Sequence, residues 1–307
     1  MNILITGGCG FIGTNLVKYL SGKNCMVRII DNLSTGDKQY LKTLSLPAPP
    51  EFINGDIRDQ AAVDGALSGI DAIVHLAALS DVVESTVNPE ATWDVNVTGT
   101  LNMLEACRKY GTKRFIFASS IAAVGEQNPP IDEMKIPRPL SPYGASKLAG
   151  EALCSAYHHS FGLETVCLRF ANCYGSYSSH KSSVIPLFLK LAEERKPLII
   201  YGDGNQTRDF VHVDDICQAI FLSLTVSGKD NRNISVFGEV FQIGSGVEIT
   251  LNRLIEELKK TGRNDIQVVY KAERKGEIRR SYSSIDKARI MLRFEPKITL
   301  AEGLRHV

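Results

Sequence analysis

Short apolar runs recur along the first half of the chain, each followed by glycine-rich or polar residues and then by apolar positions at helical spacing. Asn2–Thr6, Met26–Ile30, Glu51–Asn54, Ala72–Leu76, Arg114–Ala118 and Glu164–Phe170 read as strands. Helical patterns run from the glycines after Thr6 through Leu20, over Ala61–Leu67, from Pro89 to about Arg108, and from Tyr143 to Phe161. Strand–helix alternation of this kind predicts an α/β fold, a doubly wound and mostly parallel sheet covered on both faces. Ligands of such sheets collect at the carboxyl ends of the strands. Asp31, Asp56, Ala77, Ala78 and the Ser119–Ser120 pair all fall at such ends and are predicted to face one crevice.

After Asn172 the rhythm changes. Ser176–Ser183 is polar, a helix is expected to follow Pro186, Leu198–Tyr201 is strand-like, and Gly202–Asn205 reads as a turn. The expected division is a larger doubly wound domain over residues 1–172 and a smaller α/β lobe over 173–307. Segments near 211–222 and 240–243 are expected to return to the first.

Composition narrows the class. The 307 residues are 44% hydrophobic and 22% charged, with a formal net charge of +1. That is an ordinary soluble balance, with no field to draw in nucleic acid or an anionic membrane. No apolar stretch approaches membrane-span length, and Met1 opens no signal-peptide pattern. The seven cysteines are scattered, form no CxxC pair, and read as reduced thiols of a cytoplasmic protein, neither bridges nor metal ligands. The sequons at Asn96, Asn205 and Asn233 are then incidental.

Candidate chemistry sits in three places. Gly7, Gly8, Gly10 and Gly13 satisfy both GxxGxxG and GxGxxG, between a strand and a helix. Such a turn lets a pyrophosphate approach backbone N–H groups at the helix N-terminus. Asp31 ends the next strand, 18 residues after Gly13. A carboxylate there accepts ribose hydroxyls and repels a 2′-phosphate, which favours NAD over NADP. Third, Ser141-Pro142-Tyr143-Gly144-Ala145-Ser146-Lys147 places Tyr143 and Lys147 four apart, on one helical face. An ammonium beside a phenol favours the phenolate, which makes a group able to exchange a proton with an alcohol.

With these pieces placed, the chain resembles the extended short-chain dehydrogenase/reductase family, nearest its NAD-dependent nucleotide-sugar epimerases and dehydratases and especially the UDP-glucose 4-epimerase-like members. The resemblance runs from Ile3 to about Leu304. It rests on TGGCGFIG at the start, DNLSTG at 31–36, GDIRD at 55–59, HLAA at 75–78, NVTGT at 96–100, ASS at 118–120, SPYGASK at 141–147, GDGNQTRDFVHVDD at 202–215 and RKGEIRRS at 274–281. It implies a Rossmann sheet with NAD as cofactor. Gly7, Gly10, Phe11, Ile12 and Gly13 would hold the pyrophosphate, and Asp31, Asn32, Ser34, Thr35 and Gly36 the adenosine ribose and its surroundings. Asp56 and Ile57 would flank adenine. Leu76, Ala77, Ala78 and Phe170 would line the inner half of the cofactor, with Tyr143 and Lys147. Ser120, Tyr143 and Lys147 match the catalytic set. Asn172, Arg208, Arg274, Glu277, Ser80 and Ser281 match positions on the UDP-sugar side. Arginines suit a diphosphate because guanidinium forms paired, charge-assisted hydrogen bonds to phosphate oxygens.

The implied reaction is inversion at C4 of a UDP-sugar through a transient 4-keto sugar, with Tyr143 moving the hydroxyl proton and Ser120 donating to or relaying for the ketone oxygen. A dehydratase of the same family is the alternative, but its acid pair after the catalytic Thr is Ile121-Ala122 here. A uronate 4-epimerase is a further alternative, although Val83 stands where some uronate-specific relatives carry Arg. A silent NAD-binding regulator is the remaining class, and the retained Ser120, Tyr143 and Lys147 argue against it. The family's Tyr-Gly after the catalytic Ser is Val124-Gly125, its substrate-facing Lys is Ser80, and a Tyr of strict UDP-glucose epimerases aligns with Ser281. A small residue at 281 leaves room for an N-acetyl group. His180 and Lys181 lie in the substrate-side loop, where they could add chemistry. The helices near Pro89–Arg108 and Tyr143–Phe161 resemble those that pair family members into homodimers.

Overall fold

A computed structural model describes residues 1–229, 234–263, 265–273 and 278–307. Its strands in chain order are β1 Asn2–Thr6, β2 Met26–Asp31, β3 Glu51–Asn54, β4 Ala72–His75, β5 Arg114–Ser120, β6 Glu164–Phe170 and β7 Asn172–Tyr174. They continue as β8 Leu198–Tyr201, β9 Thr207–Arg208, β10 Phe210–His212, β11 Glu239–Ile243, β12 Ile249–Thr250 and β13 Val268–Lys271.

Seven of these form a parallel sheet in the order β11-β6-β5-β4-β1-β2-β3. Its central strands are apolar on both faces, as full burial requires. One face carries the core of Ile3, Ile5, Leu16, Leu20 and Ile216, and the other that of Leu4, Ile73, Leu104, Phe115 and Phe117. Strand order reverses between β1 and β4, so the chain leaves the middle of the sheet in both directions. A crevice opens at the carboxyl ends of the strands at this reversal.

Beyond β6 the pairing is local. β7 pairs with β10, β9 with β12 and β8 with β13, over a separate core of Phe188, Leu198, Leu254 and Leu258. The 211–222 segment meets the main sheet only as a covering helix, Val213–Thr225, packed beside Phe11–Ser21. Its first residues pair with β7 instead. The helix expected after Pro186 begins at Val184, which places the proline in the first turn, where no intrahelical N–H is lost.

The helix expected from Pro89 to about Arg108 is helical throughout but not uniformly α. Pro89–Trp93 and Gly99–Tyr110 are α-helical, and Asp94–Thr98 between them is a π turn. The wider turn carries Asn96, whose amide Nδ2 donates to Leu79 O (2.9 Å) and Ser146 Oγ (2.9 Å) while its Oδ1 accepts from Leu79 N–H (2.8 Å). One side chain thus ties the loop after β4 to the helix that bears Tyr143. Among the described residues, no helix is long and apolar enough to cross a membrane.

Candidate functional site

The crevice is a cleft of about 330 Å³. One wall is the turn after β1. Gly7 sits at φ +70°, and a Cβ there would lie 2.8 Å from Ala77 N, so the loops after β1 and β4 can touch only through glycine. A Cβ on Gly13 would fall 2.3 Å from Gly7 O. The helix Phe11–Ser21 starts at Gly10 with no side chain capping it, so its first N–H groups are left to the cleft. These orphan donors and the positive end of the helix dipole make an anion site in the cleft wall.

Asp31 lies at the end of β2 in the same wall. Its Oδ2 accepts from Cys9 N–H (2.9 Å) and its Oδ1 from Leu33 N–H (2.8 Å). The carboxylate therefore holds the glycine turn to its own loop and keeps lone pairs for hydroxyl donors. Asp56 is gripped by Arg58, which also pairs with Asp94. The guanidinium holds the Asp56 carboxyl far below the usual carboxylate range, with Asn32 donating a further bond at 2.8 Å.

At the other end of the cleft, Ser141 caps the helix Pro142–Phe161 by accepting from Gly144 N–H (3.1 Å), and Pro142 fills its first position. Tyr143 and Lys147 follow on one face and line the cleft. They share that face, but the ammonium's hydrogen bond goes elsewhere. Lys147 Nζ lies 5.9 Å from the Tyr143 ring centroid and donates to Ala118 O at 2.8 Å. Burial draws its pKa down to about 8, and the charge of Lys181 adds to the shift. The Tyr143 phenol is raised by burial, and its hydrogen bond with Ser120 offsets only part of that. In this state Lys147 does not pull Tyr143 toward the phenolate, because the ammonium is anchored to a carbonyl one strand away.

Below this end lies a buried polar layer. His75 Nε2 meets Thr100 Oγ1 (3.0 Å) and Nδ1 meets Thr6 Oγ1 (2.8 Å). Thr100 donates onward to Asn96 O, which assigns the proton to Nε2. Full burial lowers the His75 pKa to about 3, so the ring stays neutral. Glu151, one turn beyond Lys147, accepts both bonds of a bidentate pair from Arg169 (2.8 and 2.7 Å) and one from Ser119 Oγ.

Gly7, Gly10, Phe11, Ile12, Gly13, Asp31, Asn32, Ser34, Thr35, Asp56, Ile57, Leu76, Ala77, Ala78, Ser80, Tyr143, Lys147 and Phe170 all line the one cleft. Gly36 does not, since it packs on the backbone of Cys9, where a Cβ would come within 2.8 Å. Ser120, half-buried, is next to the lining residues: it hydrogen-bonds Tyr143 and accepts from Ala122 N–H at 3.1 Å. Asn172, Arg208 and Ser281 lie on the smaller-lobe side and are not part of this wall. Arg208 donates to Thr207 O and Ile278 O, and Ser281 is buried. Arg274 and Glu277 lie outside the described residues. Ala91 and Val95 join the wall from the Pro89 helix, a contribution with no local sequence signal. Ala118 and Ser119 line it from the end of β5, and Arg58 from the loop after β3.

The residues 3–244 match the model of the NAD dependent epimerase/dehydratase family. The chain is similar to the UDP-glucose 4-epimerase of Thermotoga maritima, solved with UDP-glucose (36% identity, TM-score 0.90, covering 99% of this chain and 96% of that one). It is similar to the UDP-N-acetylglucosamine 4-epimerase of Methanobrevibacter ruminantium, solved with UDP-N-acetylmuramic acid (34%, TM-score 0.91, 99% and 96%). A UDP-glucuronate 4-epimerase of Thermodesulfobacterium geofontis is 33% identical over 98% of this chain and 93% of its own length. The glycine turn, the strand-end acid and the Tyr143–Lys147 helix around one cleft, with this match over most of the chain, place it in the NAD dependent epimerase/dehydratase family.

Proposed function

We propose that the chain is an NAD-dependent 4-epimerase of UDP-sugars. The observation that carries this is the make-up of the reaction end. Ser120, Tyr143 and Lys147 meet there, while the residues after Ser120, Ile121 and Ala122, offer no acid or base. One proton can therefore be moved at one carbon, and the positions that carry the dehydratase acid pair offer nothing to take a second from a neighbouring carbon. The sugar-nucleotide 4-epimerases among its relatives support the same reading.

The cleft fits NAD: uncapped helix N–H groups for a pyrophosphate, Asp31 for ribose hydroxyls, and apolar Ile57, Leu76 and Phe170 along the walls. NAD bound there supplies a hydride acceptor, and then donor, for the sugar carbon that inverts. Tyr143 takes the hydroxyl proton of that carbon and later returns it. Ser120, hydrogen-bonded to Tyr143, donates to the developing ketone oxygen. Lys147, anchored on Ala118 O, presents its remaining N–H donors to the cofactor side. Residues 1–172 hold NAD in this reading, and 173–307 the nucleotide sugar, with Asn172, Arg208, Arg274 and Glu277 toward the diphosphate and uridine. Ser281 leaves room for an N-acetyl group. Exposed Trp93, Leu101 and Phe161 on the two helices flanking the cleft suit a homodimer packed through them.

The test is incubation of the purified protein with UDP-glucose, UDP-N-acetylglucosamine and UDP-glucuronate, followed by NMR of the products. A 4-epimer of at least one is expected, and Tyr143→Phe should abolish it while the circular dichroism spectrum stays unchanged. A 4-keto-6-deoxy product, or substantial turnover by the Phe variant, would overturn the assignment.

A further inference from the structure

The cleft contains a second ammonium that the reaction above does not use. The segment between Gly175 and Ser183 crosses from one side of the cleft to the other and is tied at both ends. Near the glycine turn, Asn15 Nδ2 donates to Ser176 O (2.8 Å), and Tyr177 packs on Tyr40 (ring centroids 5.1 Å) with its hydroxyl 3.2 Å from Thr43 Oγ1. Near the loop after β4, Lys181 Nζ donates to Ser80 Oγ (2.8 Å) and Ser182 Oγ to Asp81 Oδ2 (2.7 Å). Tethered in this way, Lys181 stays in the cleft wall with Tyr143 and Lys147.

The position is electrostatically incomplete. Lys181 is half-buried, and burial pulls its pKa down. Its hydrogen-bond acceptor, Ser80, is neutral, and an ammonium has two further donors to place. Asp81 is the nearby acid and its charge offsets part of the effect of burial on Lys181, but its Oδ1 caps a helix at Val83 and Glu84 and its Oδ2 takes Ser182. The acids in the cleft wall, Asp31 and Asp56, stand at the ends of β2 and β3 and already serve backbone N–H groups and Arg58. The reaction end thus gathers two lysines, while its nearby carboxylates are committed elsewhere, Glu151 to Arg169 and Ser119, and Asp81 to Ser182 and two backbone N–H groups. A cation held this way is stabilised by an anion delivered with the ligand.

We propose that Lys181 is a specificity-determining residue that receives an anionic substituent on the hexose, a carboxylate as in a nucleotide-linked uronic acid. The inference rests on the epimerase reading and names the substrate class within it. A sugar-borne anion is favoured over the diphosphate by position. Lys181 shares its wall with the proton-transfer pair, and its charge is felt at Lys147, whereas Arg208 lies on β9 of the smaller lobe.

The experiment compares kcat/KM for UDP-glucuronate, UDP-glucose and UDP-N-acetylglucosamine in the wild type, Lys181→Met and Lys181→Arg. Calorimetric affinity for each donor and bound NAD, measured by absorbance after heat release, are read alongside. The wild type should prefer the uronate. Lys181→Met should lower that kcat/KM and affinity by about 10–100-fold, the size of a charge-assisted hydrogen bond, and move the neutral sugars by less than about threefold. Lys181→Arg should keep the preference, and NAD content should not change. An equal loss on all three donors would assign Lys181 to the diphosphate, and a loss of NAD would assign it to the cofactor. Either result refutes the proposal, as does a wild type that epimerises neutral sugars and refuses the uronate. If no donor is epimerised, the functional reading fails. The calorimetric comparison of the charged and neutral donors then still decides the role of Lys181.

Discussion

Glu151→Gln is the sharpest test of how the reaction end is supported. Glu151 and Arg169 have side chains only 5% and 4% exposed and form a two-point pair, with Ser119 donating to the same carboxylate. The substitution keeps the volume but removes the charge, so a buried guanidinium loses its counter-ion. Arg169 Nη1 already lacks a partner, so no spare acceptor stands ready. Breaking one member of such a pair costs about 3–5 kcal/mol. Spread over 307 residues, the usual unfolding entropy of about 2.1 cal/mol/K per residue turns this into a Tm lower by roughly 5–8 °C. Urea and thermal unfolding followed by circular dichroism measure it. Adding Arg169→Met to Glu151→Gln removes the stranded charge and should restore most of the loss, because the penalty lies in the uncompensated ion and little of it in the lost attraction. A single variant within about 1 kcal/mol of wild type, or a double variant that costs the sum of both singles, would refute the reasoning.

Two further outcomes follow from the same geometry. Gly13→Ala puts a methyl 2.3 Å from Gly7 O and 2.6 Å from Gly8 Cα, both backbone, so the turn must open. The variant should fold with an unchanged far-UV spectrum and bind NAD more than about tenfold more weakly by calorimetry, whereas stoichiometric NAD after desalting would contradict it. His75 has a folded pKa of about 3 against 6.5 when exposed, so the unfolded chain takes up its proton first as pH falls. Its contribution is intact above about pH 6.5 and declines between there and pH 3, by about 1.4 kcal/mol per pH unit. Urea unfolding of wild type and His75→Gln across pH 7 to 4 should therefore diverge in slope, and parallel curves would rule the effect out.

Much of the architecture was legible because its signals are local. Buried parallel strands must be apolar on both faces, and a strand-to-helix turn that leaves N–H groups open to a ligand needs glycine. Both leave marks within a few residues, as at Asn2–Gly13. Most of the cleft wall followed, since strand ends are brought together by topology alone. Three features escaped. The π turn at Asp94–Thr98 carries Asn96, whose partners Leu79 and Ser146 are far apart in sequence. Ala91 and Val95 enter the wall by helix packing. Gly36 serves the backbone of Cys9 and leaves the cleft wall to its neighbours.

The helix with Tyr143 and Lys147 marks the division most clearly. Sequence by itself set the spacing, the Ser141 cap and the Pro142 start, since these depend only on neighbours along one helix. It also determined the absence of any acid at positions 121 and 122. Tertiary structure decided what the pair experiences. The carbonyl of Ala118 anchors Lys147 with its ammonium 5.9 Å from the Tyr143 ring centroid, burial and then the charge of Lys181 lower its pKa, and the phenol answers to burial and Ser120 instead. Desolvation and Coulomb interactions depend on distance in space, and the residues that exert them here come from β5 and from the strap around Lys181, which no reading along the helix can place.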